Sequence, residues 1–256
     1  MSIETAKAVD ADNLVIPIIN FSNFLTGSPS QRLQTAKSIL YGFRTAALLK
    51  AQAPDLKESF EIGREGEEEL PNNWPPITPE DGDAKEFKRD HASFPRLIAG
   101  DNTLRLLHYP PAKASVFREN KLQVRAGEHT DYGSITLLFQ DDRGGLQVKS
   151  PKGTFVDATP VPGTVVVNAG DLLARWSNDL IKSTLHRVVE PPPKEGQEIG
   201  EEGVYPARYS MAYFCNPNFD RMIEAIEGTY GGEMGERKYE GINSGEYLVQ
   251  RLAATY

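Results

Sequence analysis

Cysteine is almost absent from this 256-residue chain. Cys215 stands alone, so no internal disulfide can form, and a reducing compartment is the natural setting. Also missing is any apolar run near the roughly 20 residues that a membrane helix needs. The opening MSIETAKAVDADNLV has neither the basic nor the apolar region of a secretory leader. Positive charge is in deficit: 28 Lys and Arg face 36 Asp and Glu, a net charge of -8, with no basic stripe to neutralise phosphates. A soluble, cytoplasmic protein is expected, with no nucleic-acid or membrane partner. Histidine is scarce too, at four residues, so the place of each one carries information.

What is present is organised in two parts, 1–102 and 103–256. In the first, LVIPIINFSNFL (14–25) suits an edge strand with Pro17 near its start. TAKSILYGFRTAALLK then places Ala36, Ile39, Leu40, Phe43, Ala46 and Ala47 on one helical face. From Ala51 to Asn102 acid, Pro and Gly dominate, which predicts loop; the glutamates at 66–69 read as a solvated surface.

After Thr103 short β-like runs alternate with turn residues: LRLLHY, SITLLF, LQV, TVVVN, STLHRVVE and ARYSMAYF. This spacing predicts an antiparallel sandwich or barrel rather than βαβ units. The Pro/Gly-rich segment 191–206 reads as a surface loop, and NSGEYLVQRLAATY as a terminal helix capped near Ser244 that turns Leu248 and Leu252 inward.

The stretch AGEHTDYGSITLLF holds His129 and Asp131 one residue apart. On a strand, residues two apart face the same way, so both could reach one ion while Thr130 points elsewhere. His186, in KSTLHRVV, offers a second imidazole from another β-run. Two imidazoles and one carboxylate on one face of an octahedron leave adjacent positions open, the ligand set of non-haem Fe(II) oxygenases. His91 and His108 read as surface or hydrogen-bonded histidines. In RYS, Arg208 and Ser210 share a strand face with Ala212 and Phe214. A guanidinium there needs an anionic partner once buried, and a carboxylate can accept from both Arg and Ser. Trp176, Phe214, Leu146 and Tyr132 are candidates to line a substrate pocket, although large apolar residues are more often core.

Together, GEHTDYGSITLLFQDDRGGLQV, STLHRVV and RYSMAYF resemble the Fe(II)/2-oxoglutarate-dependent dioxygenases of the isopenicillin N synthase-like family, with their H-x-D…H and R-x-S motifs. The resemblance spans roughly Thr103 to Asn218. It implies a mainly β fold with flanking helices, a double-stranded β-helix or jelly-roll barrel. It also implies Fe(II) bound by His129, Asp131 and His186, with 2-oxoglutarate as co-substrate and O₂ as oxidant. Arg208 and Ser210 would grip the distal carboxylate of 2-oxoglutarate, and Tyr109 matches a family tyrosine that hydrogen-bonds the same molecule. Leu107 stands where many plant members carry Asn. The implied reaction hydroxylates, desaturates or cyclises a small organic molecule and releases succinate and CO₂.

Compared with the family, the segments after YGF and before RLLHYPP are short, so N-terminal helical coverage is expected to be reduced. Two alternatives follow: an oxidase of the same fold in which Arg208 and Ser210 hold a substrate carboxylate, or a truncated, non-catalytic metal-binding protein.

Overall fold

Period-two alternation in the second half of the chain sets the architecture. The computed structural model describes residues 6–43, 55–63, 72–74, 101–193, 199–200 and 202–254. In chain order the strands are β1 (Lys7–Ala11), β2 (Leu14–Pro17), β3 (Glu58–Ile62), β4 (Thr103–Tyr109), β5 (Ala112–Lys113), β6 (Ala126–His129), β7 (Ile135–Gln140) and β8 (Leu146–Lys149). They continue with β9 (Phe155–Asp157), β10 (Val166–Ala169), β11 (His186–Val188), β12 (Val204–Tyr205), β13 (Arg208–Cys215), β14 (Met222–Ile223) and β15 (Ile242–Asn243). The helices are few and include Pro29–Phe43, Asp171–Trp176 and Ser244–Ala253.

Two antiparallel sheets matter for the site, in the orders β10-β7-β13-β4-β3 and β6-β11-β8-β9. Tyr109, Leu107, Leu138 and Val166 of the first pack with Ala126, Leu146, Val148 and Val188 of the second, so the main core lies between the two inner faces. Val9 and Leu14, from the β1-β2 hairpin, join this core. The hairpin turns through Asp12 and Asn13, both at positive φ, where Asp and Asn are the least strained of residues with a side chain. A smaller cluster of Ile62, Leu104 and Tyr213, with Phe60 and Trp74, covers part of the outer face of the five-stranded sheet.

β13 shows how the pattern works. Arg208, Ser210 and Ala212 are buried on the inner face, whereas Tyr209 and Met211 remain 58% and 45% exposed on the outer one. This is the division that the alternation predicts.

Several expectations are corrected. The acid-rich stretch before the β-rich half is not all loop: ESFEI forms β3, which pairs with β4 at the edge of the large sheet. Within 14–25 only Leu14–Pro17 is strand, so Pro17 ends it, and Ser22–Leu25 is helical. The next helix begins at Pro29, earlier than its apolar face indicates, and residues 44–50 lie outside the described set. Part of the 191–206 segment is ordered by pairing of β12 with β5. The terminal helix is capped next to Ser244 as expected, by Asn243, whose side chain accepts from the N–H groups of Gly245 and Glu246, but Leu252 is 37% exposed rather than inward. The 66–69 glutamates and His91 fall outside the described residues.

Candidate active site

His129 ends β6 and His186 begins β11, and the antiparallel register sets them directly opposite each other. Their rings lie 4.4 Å apart between centroids. Asp131 arrives differently from the expectation. β6 stops at His129, so strand alternation does not aim the carboxylate; the chain has already turned into the link to β7. That turn is fixed by the N-terminus of the helix Asp171–Trp176: the Asp171 N–H donates to the Asp131 carbonyl at 2.8 Å and the Leu172 N–H to that of Gly133 at 3.1 Å. Gly170 is required here, since a Cβ would collide with the Gly133 carbonyl oxygen. Thr130 does point away, donating its hydroxyl to Asp171 at 3.1 Å, and Asp171 pairs with Arg251 of the terminal helix at 2.9 Å.

The ligand-capable atoms of His129, Asp131 and His186 all lie within 4.8 Å of one another. Each is prepared by a partner. The Nδ1 atoms of His129 and His186 lie 2.7 and 2.9 Å from the Gly127 and Thr184 carbonyls. A carbonyl can only accept, so Nδ1 carries the proton and the Nε2 lone pair is left for the centre of the cluster. The Asp131 Oδ2 accepts from Thr136 Oγ1 at 2.5 Å and Asn168 Nδ2 at 2.7 Å, while Oδ1 lies 3.9 Å from His186 Nε2.

Electrostatics point the same way. Burial, followed by His186, lowers the His129 pKa to about 4, so the ring is neutral and able to donate its lone pair near pH 7. Burial would raise the Asp131 pKa, but the two imidazoles and the hydrogen bonds from Asn168 and Thr136 outweigh it and hold the carboxyl below its ordinary value. Two imidazoles and an ionised carboxylate fit a first-row divalent ion.

The same cleft reaches Tyr109, Arg208 and Ser210. Arg208 is 1% exposed and pairs in register with Tyr109. Its Nε donates to the Gly144 carbonyl at 3.0 Å, one terminal nitrogen to Ser210 Oγ at 3.0 Å and the other to Gln140 Oε1 at 3.1 Å. Its guanidinium lies 4.9 Å from the Tyr109 ring centroid. Among the described residues no carboxylate forms an ion pair with Arg208, so the cation suits an incoming anionic group.

Phe214 and Leu146 line the cleft as anticipated, whereas Tyr132 and Trp176 do not. Tyr132 instead lies under the Arg251 guanidinium, 4.8 Å from it. His108 is removed from the site, with Nδ1 2.8 Å from Glu58 Oε2 and its ring stacked on Tyr209. Sequence reading missed Thr136, Asn168, Arg105 and Lys57, all of which line the cleft. A polar residue on an otherwise apolar strand was the available signal for Thr136 and Asn168.

The 2OG-Fe(II) oxygenase superfamily model matches residues 100–217, which contain every residue of this site except Lys57. A 2-oxoglutarate-dependent dioxygenase, htyE of Aspergillus rugulosus, is 34% identical over 79% of the chain and 68% of its own length. The chain belongs to the 2OG-Fe(II) oxygenase superfamily. Other curated relatives are covered over 42% to 74% of their length. Among solved structures it is similar to a full-length Neurospora crassa protein in complex with alpha-KG and 5-formyluracil, at 49% identity and a TM-score of 0.82, over 97% of this chain and 99% of that one. The complex of the same Neurospora crassa protein with alpha-KG and thymine gives 46% identity and a TM-score of 0.83, over 98% and 100%. Enzymes of this superfamily use Fe(II), 2-oxoglutarate and O₂, the set that the two ends of the cleft fit.

Proposed function

We propose that this chain oxidises a C–H bond of a small molecule, a pyrimidine base of the thymine kind, and consumes 2-oxoglutarate and O₂ to do so. The observation that carries the reading is the cleft with a cation-ready triad at one end and a buried, unneutralised arginine at the other.

His129, Asp131 and His186 would hold Fe(II). When bound, Fe(II) with 2-oxoglutarate supplies the activation of O₂ that ends in succinate, CO₂ and an oxidised substrate. The chain's own work is orientation. The Gly127 and Thr184 carbonyls fix the imidazole tautomers, and Asn168 and Thr136 occupy one oxygen of the Asp131 carboxylate, so that the other would be left for the ion. Arg208 and Ser210 would receive the distal carboxylate of 2-oxoglutarate, with Tyr109 packed beneath the guanidinium. The antiparallel order of the two sheets and the core between them support a double-stranded β-helix, with 103–256 as its core and 1–102 packed upon it.

The likeness to the Neurospora crassa protein supports a pyrimidine substrate. Thymine and 5-formyluracil, both bound by that protein, differ only in the oxidation level of the carbon attached to ring position 5. In this chain Phe214 lies opposite Thr136, the residue that holds Asp131, and the Arg105 guanidinium sits 5.0 Å over the Phe214 ring. An aromatic face and a donor-rich cation beside the triad suit a flat base with carbonyl oxygens.

The test is succinate release by the iron-loaded protein with and without thymine, alongside thymine consumption. Thymine-stimulated succinate in step with oxidised base is the expected result. Succinate release that thymine leaves unchanged sinks the substrate reading. Oxidation that proceeds without 2-oxoglutarate would instead favour an oxidase in which Arg208 binds a substrate carboxylate.

A further inference from the structure

A second arginine lies behind the first. Arg125, four residues before His129, is fully buried at 0% exposure. Its terminal nitrogens donate to two backbone carbonyls, that of Pro206 at 3.0 Å and that of Tyr109 at 3.4 Å, and its Nε is buried with no partner. These carbonyls belong to the end of β4 and the approach to β13, the two segments that present Tyr109 and Arg208 to the cleft. Tyr109 is therefore held from both sides, its carbonyl by Arg125 and its ring by Arg208.

The charge balance is unusual. A guanidinium stays protonated at any ordinary pH. Burial, and then the proximity of Arg208, push the Arg125 pKa down, while Tyr109, Asp141 and Glu190 act in the opposite direction. Among the described residues neither arginine has a carboxylate at ion-pair distance. Buried charges are ordinarily paired, because removing an ion from water costs on the order of several kcal/mol. Two neighbouring buried cations, neither in contact with a carboxylate, make a local field that an anion relieves.

We propose that Arg125 is a positioning residue of the 2-oxoglutarate site, whose unneutralised charge behind Arg208 makes the site select a co-substrate with a distal carboxylate. It does not touch the co-substrate; it sets the Tyr109 and Arg208 strand ends and adds a second positive charge to their surroundings. The inference rests on Arg208 being the partner of that carboxylate.

Anaerobic calorimetry on the Fe(II)-loaded full chain tests it with two ligands of equal length. 2-Oxoglutarate ends in a carboxylate, whereas 2-oxovalerate ends in a methyl group and keeps the same metal-chelating end. Arg125→Gln should weaken 2-oxoglutarate about tenfold or more and leave 2-oxovalerate within about twofold, while Arg125→Lys restores 2-oxoglutarate to within about threefold. Equal losses for both ligands would show a merely structural residue, and no loss for either would show an inert one; both outcomes overturn the proposal. If Arg125→Gln does not fold, Arg125→Lys carries the test. Its retained charge must keep the preference for 2-oxoglutarate over 2-oxovalerate, and a tenfold collapse of that ratio overturns it. Arg208→Ala, run in parallel, separates the two readings. If it leaves 2-oxoglutarate binding unchanged, the assignment of Arg208 itself fails. If it weakens binding while Arg125→Gln does not, only the role of Arg125 is lost.

Discussion

The two ends of the cleft solve opposite electrostatic problems. At the triad end the chain leaves one carboxylate and two imidazoles with outer partners already in place, so the atoms left over are acceptors suited to a cation. At the Arg208 end the hydrogen bonds go to carbonyls, an amide and a hydroxyl, none of which cancels the charge, so what is left over suits an anion. A site can thus be read from what its own residues fail to neutralise. It follows that each end can be disabled without the other.

The largest effect belongs to the cation end. Asp131→Ala should lower metal affinity by at least about a hundredfold, beyond the 10–100-fold range of outer partners, as measured by Fe(II) or Mn(II) titration. Metal binding that survives the substitution would contradict the role of the carboxylate. At the anion end, Arg208→Ala should cost about 2–5 kcal/mol in 2-oxoglutarate binding with metal affinity retained. Loss of metal together with co-substrate would show that the ends are not independent. Asn168→Ala probes the triad from behind. It removes one of the two hydrogen bonds on the Asp131 Oδ2 and should weaken metal binding about 10–100-fold, while 2-oxoglutarate affinity at saturating metal stays unchanged. The smallest effect is on the scaffold. Gly170→Ala should destabilise by about 1–3 kcal/mol because its Cβ meets the Gly133 and Asp131 carbonyls. Thermal unfolding reads this directly, and an unchanged Tm would contradict the tight packing of the turn.

The residue types of the site were legible because chemistry restricts them: few side chains bind Fe(II), and a buried Arg beside Ser announces an anion. The alternation of β13 likewise sorted Arg208 and Ser210 from Tyr209 and Met211. Other parts were not legible. Asp131 reaches the cluster through a turn docked on a helix N-terminus, a tertiary arrangement that strand periodicity cannot express. Asn168 reads only as the last residue of the apolar run TVVVN, and its role depends on β10 pairing with β7, which sets it opposite Thr136. Arg125 is one charge in a polar-looking stretch until the fold encloses it. β3 was hidden because ESFEI is acidic and owes its strand conformation to β4, far along the chain.

The placement of His129 opposite His186 has a kinetic consequence. Four strands, β7 to β10, intervene in the chain between β6 and β11, so the two imidazoles meet only after a long loop has closed. No local segment can assemble the metal site early in folding. A divalent ion added during refolding therefore reports the completion of that long-range pairing, and it tightens the native state because it binds that state alone.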